Sequence, residues 1–175
     1  MATSKKTSEK GSDKPMNSQR QQCWLMKSEP DVYGIDTLER EGRTGWDGIR
    51  NYQARNFMRD GMRVGDDVLF YHSNAKPPGV AGLARVSKLG LVDPSQFDSS
   101  SKYFDPKSNP EEPRWVMVEV EYVERFDQVL SLEWLKGQAV LGEMLVVQRG
   151  QRLSIQPVTR RHFNLVVKAG RRSSH

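Results

Sequence analysis

The chain has 175 residues, 36% of them hydrophobic, and a net charge of +5. That length supports one domain with a real core, and no apolar run approaches the ~18 residues a membrane-spanning helix needs. A single cysteine, Cys23, excludes an internal disulfide and suits a reducing compartment.

Residues 1–22 contain no aromatic and only Met1 and Met16 among the large apolar types. Such a segment cannot bury enough surface to offset its ordering entropy and is predicted to be a disordered, basic N-terminal tail. Its lysines precede no hydrophobic stretch of the kind a secretory signal carries. Cys23–Ser28 is predicted as a strand, with Trp24, Met26 and Ser28 on one face and Cys23, Leu25 and Lys27 on the other. Pro30 ends it by removing a ladder donor. Ile35–Glu41 is a short helix with Asp36 as N-cap and Gly42 as stop. Gly45–Gly48 is a tight loop around Trp46, and Arg50 to about Asp60 is a second helix on which Arg55 and Arg59 share a face. Asp67–His72 and Gly79–Leu89 pair as an antiparallel hairpin across a polar loop.

Residues 90–113 are rich in Asp, Ser, Pro and Asn, a long excursion of the mobile or functional kind. Trp115–Phe126 alternates cleanly, with Val116, Val118, Val120 and Tyr122 inward. Ser131 caps a short helix that Gly137 stops. Residues 144–147 and Leu153–Val158 are short extended pieces, and Thr159 caps a last helix bearing Phe163, Val166 and Val167. Residues 169–175 form a basic C-terminal tail. The fold expected is α+β, a small, partly open mixed or antiparallel β-barrel of about five or six strands with short helices flanking it.

The positive charge belongs to the two ends: residues 23–167 hold 19 basic and 20 acidic side chains. Basic ends suit a polyanion partner or simply solubility. Within the body, six arginines crowd residues 40–63, and four crowd 149–161 with no acid among them. A shared face would make them a phosphate-binding surface. There is no Walker loop, no G-x-S-x-G elbow and no His or Cys pair at metal spacing, so no cofactor or metal is expected.

Four patches could carry chemistry. Trp24 is a core aromatic or one side of a cage, and Lys27-Ser28-Glu29 is an exposed strand end or a pocket wall. Trp46 to Asn51 sets a Trp between glycines, and Asn51 either caps a helix or reads a base edge. Tyr71, His72, Ser73 and Asn74 leave a strand end, where a lone His is a structural residue or a pocket group. Arg149 to Gln156 is a solvated turn or a set of phosphate contacts. Aromatics and hydrogen-bonding groups at several strand ends suit a flat ligand with polar edges, such as a nucleic-acid base.

The motifs WLMKSEP at 24–30, WDGIRNYQARN at 46–56, FYHSN at 70–74, GVAGL at 79–83 and RLSIQP at 152–157 resemble the EVE domain. The likeness covers residues 23–168. It implies a PUA-like fold, related to the YTH domains that read N6-methyladenine, and a non-enzymatic reader of modified bases. Those bases would be of the 5-methylcytosine type in DNA, or modified bases in RNA. By motif match Trp24, Lys27, Ser28, Trp46, Asn51, Tyr71, His72, Ser73 and Asn74 would form the base pocket. Arg50, Arg55, Arg59, Lys76, Arg149 and Arg152 would contact phosphates. A monomer is expected, nuclear in a eukaryote and cytoplasmic in a bacterium. The rival is a small amidohydrolase of the related ASCH type acting on modified nucleosides, with Lys27, Ser28 and Glu29 as base, nucleophile and acid and His72 nearby.

Overall fold

The computed structural model describes residues 21–172; the rest of the expected N-terminal tail and residues 173–175 lie outside the described residues. Six segments form strands: β1 Cys23–Ser28, β2 Arg43–Gly45, β3 Asp67–His72, β4 Gly79–Val92, β5 Val116–Ser131 and β6 Ile155–Val158. They make one mixed sheet in the order β2-β5-β4-β3-β1-β6. β1 runs parallel to β3, and every other pair is antiparallel.

β1 is flanked on both sides and covered on both faces, which is why its sequence is apolar in both registers. Trp24 and Met26 enter one core with Met58, Phe70 and Val118. Cys23 and Leu25 enter the other with Leu69, Phe126 and Val166. The sheet is not closed into the expected barrel. β2 and β6 are its two ends, three and four residues long, with no ladder joining them. After one further bond each, at Trp46 and Ser154, the segments that could have extended those edges, 47–51 and 151–152, leave the ladder and line a cleft instead.

β4 and β5 are longer than expected, at 14 and 16 residues, and bulges interrupt their register at four places. The G-V-A-G run belongs to this close approach: a Cβ on Gly82 would run into the backbone oxygen of Glu124.

The helices are α1 Pro30–Tyr33, α2 Ile35–Glu41, α3 Tyr52–Asn56, α4 Leu132–Lys136 and α5 Arg160–Arg172. Asp36 lies inside α2 rather than capping it; the N-cap is Gly34, and the Ile35 N–H donates to His72 Nε2 at 3.1 Å. Gly42 stops the helix as expected, at φ 82°. The helix expected from Arg50 starts at Tyr52 behind an Asn51 cap and ends in a π-helical turn, Phe57–Gly61. Ser131 and Thr159 accept from the N–H groups of Trp134 and His162, as cap residues do. Leu145–Val147 is a 3-10 turn where an extended piece was expected, since four apolar residues show no usable period. α5 runs to Arg172, so residues 169–172 are helix rather than tail. Arg171 holds Glu124 there with a forked contact, Nη2 to Oε2 at 2.7 Å.

Candidate functional site

The seam between the two sheet edges opens into a cleft of about 990 Å³. One wall is the end of β1. The pairing there continues just past the strands: Lys27 N–H donates to Ser154 O at 2.9 Å, and Ser73 N–H donates to Ser28 O at 3.0 Å. Lys27 and Ser28 are thereby fixed between the entry to β6 and the exit of β3. Ser28 Oγ donates to Tyr33 O at 2.6 Å, which pins α1 beside the strand end. Tyr33 also lines the cleft. Its hydroxyl donates to Glu41 Oε2 at 2.6 Å, and burial followed by that carboxylate pushes its pKa up to about 12.

The second wall is the segment 44–51. The β2 ladder carries on through Trp46 N–H to Val118 O at 2.8 Å, then breaks at Gly48. Gly48 has φ 76°, and a Cβ there would lie 2.8 Å from the Tyr103 ring, so glycine is required twice over. Tyr103 and Lys102 form the third wall, delivered by the irregular segment between β4 and β5.

That segment is held by two buried polar groups. Asp93 is 1% exposed and accepts from Gly48 N, Arg50 Nη1, Ser95 N and Ser95 Oγ at 2.6–2.9 Å. Burial would raise its carboxyl, but these donors, Ser95 and Arg50 foremost, hold it below the ordinary carboxylate value. Gln96, fully buried, donates to Asp93 O and Trp115 O and accepts from Trp115 N and Ser108 Oγ.

The cleft contains Lys27, Arg50, Lys102 and Arg152 against Glu29 and Asp47. It thus joins members of both arginine-rich stretches. Lys102 and Arg152 are exposed at its rim, without an ion-pair partner among the described residues. Burial lowers the Lys27 pKa, and its ammonium sits 5.8 Å from the Tyr71 ring centre. Burial and then Asp93 raise the Asp47 carboxyl.

Six of the nine expected pocket residues come together: Lys27, Ser28, Trp46, Asn51, Ser73 and Asn74 all line the cleft. Asn51 spends its amide oxygen on the Ala54 N–H, so its NH2 is the part left for a ligand. Asn74 is held at φ 49°. Trp46 is only 7% exposed and packs edge-on against Phe70 at 5.5 Å, so it is as much core as lining.

Three expected pocket residues do not line the cleft. Trp24 is 2% exposed, and its Nε1 donates to the buried Asp66 at 2.9 Å, which makes it a core strut. Tyr71 is buried on the opposite face of the sheet from Trp24. His72 is turned to the Ile35 N–H, and burial lowers its pKa, as suits a neutral acceptor. Of the expected phosphate contacts, only Arg50 and Arg152 line the cleft. Arg50 is committed to Asp93, Ser95 Oγ, Ile49 O and Tyr103 O, and is therefore a structural clamp. Arg55 bonds Arg114 O and Asn56, and Arg59 pairs with Asp60 at 2.9 Å. Lys76 and Arg149 are exposed and outside the cleft.

Sequence reasoning missed Tyr33, Lys102 and Tyr103. The available signal for the last two was an aromatic pair beside a lysine, Lys102-Tyr103-Phe104, in an otherwise Asp- and Ser-rich stretch.

An open mixed sheet with a polar, aromatic-lined cleft at its seam defines a PUA-like binding module. The chain belongs to the EVE domain family, whose model matches residues 22–169. It is 40% identical to human thymocyte nuclear protein 1 over 162 residues, covering 82% of this chain and 72% of that one. A hypothetical protein from Leishmania major is similar in structure, with a TM-score of 0.84, 46% identity and coverage of 89% of this chain and 98% of the other. The human THYN1 protein, solved in complex with DNA containing 5-methylcytosine, superposes with a TM-score of 0.79 at 39% identity, covering 85% and 97%.

Proposed function

We propose that this protein is a non-enzymatic reader that takes one modified base of a nucleic acid into the cleft. The carrying observation is the lining itself: the aromatic residues Tyr33, Trp46 and Tyr103 beside the hydrogen-bonding residues Lys27, Asn51, Ser73 and Asn74. A flat heterocycle stacks on the rings and offers its edge to those groups. Lys102 and Arg152 at the rim meet the flanking phosphates. The DNA complex of the human relative supports a base of the 5-methylcytosine type. The protein acts as a monomer, nuclear in a eukaryotic source and cytoplasmic in a bacterial one.

The hydrolase reading is weaker, because its parts are not poised for nucleophilic attack. Ser28 Oγ gives its hydrogen to the Tyr33 carbonyl, and His72 is held against α2 instead of the cleft.

The test is binding of short oligonucleotides with and without one central 5-methylcytosine, followed by fluorescence anisotropy across a salt series. A well-fitted methyl is expected to favour the modified strand by roughly tenfold or more. Arg152→Ala weakens both strands alike and lowers the salt slope by about 1. Lys27→Met erodes the preference itself. Equal binding of the two strands by the natural protein would sink the proposal for this base.

A further inference from the structure

Outside the cleft, an aromatic column continues from its wall to solvent. Arg50, which lines the cleft, sits 5.1 Å from the ring centre of Trp115. Trp115 is itself stacked on Tyr52 at 4.9 Å and 22° between planes. Trp115 is 4% exposed, whereas Tyr52 is 53% exposed, an unusual degree for a large ring. The Arg55 guanidinium lies 4.6 Å from the Tyr52 centre and 5.7 Å from that of Trp115. Those three distances form a compact triangle. Arg55 therefore lies on the Trp115 side of the Tyr52 ring; on the far side it would stand much further from Trp115. The Tyr52 ring is thus backed by a second ring and accompanied by a cation, and more than half of the residue is still exposed.

The column is rigidly supported. Tyr52 begins α3, whose first turn Asn51 caps. Trp115 is tied by its backbone N–H and C=O to the buried Gln96, and by its indole N–H to Asp105 at 2.8 Å. Tyr52 belongs to neither buried cluster, and its ring meets the core through the stack on Trp115.

We propose that the Tyr52 face is a stacking platform for a second, unmodified base on the strand whose modified base occupies the cleft. The inference rests on the base-reading function. An aromatic face of this kind is sequence-tolerant, because every base has a π-face. It would lengthen the footprint without adding to the choice of base.

The experiment compares two probes. One is 5-methyl-2′-deoxycytidine 5′-monophosphate, followed by NMR shift titration. The other is a nine-nucleotide single strand with one central 5-methylcytosine, followed by anisotropy. Tyr52→Ala is expected to weaken the nine-nucleotide strand roughly tenfold, to leave the mononucleotide unchanged, and to weaken an unmodified strand by the same factor. Tyr52→Phe restores binding. Unchanged strand affinity in Tyr52→Ala overturns the platform, and so does an equal loss for the mononucleotide. Failure of the reading function looks different: the natural protein would bind modified and unmodified strands equally, while Tyr52→Ala would still show whether the ring carries a base.

Discussion

Asp93 offers the sharpest test of how the cleft is held. Its side chain is 1% exposed and accepts four hydrogen bonds, including the ion pair to Arg50 at 2.9 Å, whose side chain is 21% exposed. Asp93→Ala leaves that guanidinium and the Gly48 N–H facing an apolar void. Breaking a buried pair by removing one partner costs ~3–5 kcal/mol, so a loss near the lower end is expected, given Arg50's residual access to water. The donors hold the folded-state carboxyl below its ordinary value. A depressed pKa contributes stability fully present above the unfolded value, near pH ~3.9. That contribution is lost as pH falls through the lower, folded value. Urea denaturation of natural protein and Asp93→Asn from pH 7 down to about pH 2 reads both effects. The gap between the two should be wide at neutral pH and narrow below about pH 4. A loss under about 1 kcal/mol for Asp93→Ala, or a gap independent of pH, would refute the assignment of Asp93 as the anchor of the 46–51 wall.

Two further outcomes separate core from cleft. Trp24→Phe removes the indole donor to buried Asp66 and should cost about 1.5–3 kcal/mol, yet leave the ratio of modified to unmodified binding unchanged. A changed ratio in that variant would return Trp24 to the site. Gly48→Ala forces an L side chain to φ 76° against the Tyr103 ring and should cost on the order of 1–3 kcal/mol, with weaker binding of the mononucleotide. Thermal melts alongside the NMR titration check both halves, and an unaltered affinity would show that the Tyr103 wall is not part of the binding surface.

The elements legible in the sequence are those whose information is local. The alternation in Val116–Tyr122, the caps Ser131 and Thr159 and the stop Gly42 all act within one turn or one ladder. What stayed illegible was decided by distant partners. Trp24 in a strand reads alike as core or cage until Asp66, 42 residues on, takes its indole N–H. His72 reads as a pocket group until Ile35 uses its ring nitrogen. Arg50 reads as a free phosphate ligand until Asp93 and Ser95 claim it. β2 escaped notice because three residues carry no period, and Tyr103 because its segment has none.

The unclosed seam explains the placement of these polar anchors. Pairing β2 with β6 would satisfy both edges and remove the cleft. With the seam open, the chain must supply other partners for backbone groups near it, and it does so with side chains. Asp93 takes the Gly48 N–H beside the seam, while Gln96 bonds both backbone groups of Trp115 at the β4–β5 end. Each costs desolvation that an apolar residue would avoid, but is fully satisfied, which makes it specifying rather than destabilising. Both lie on the segment that brings Lys102 and Tyr103 to the cleft. Asp93 and Gln96 are therefore supports for the ligand wall, and Asp93 also supplies the partner that the unclosed seam leaves off Gly48.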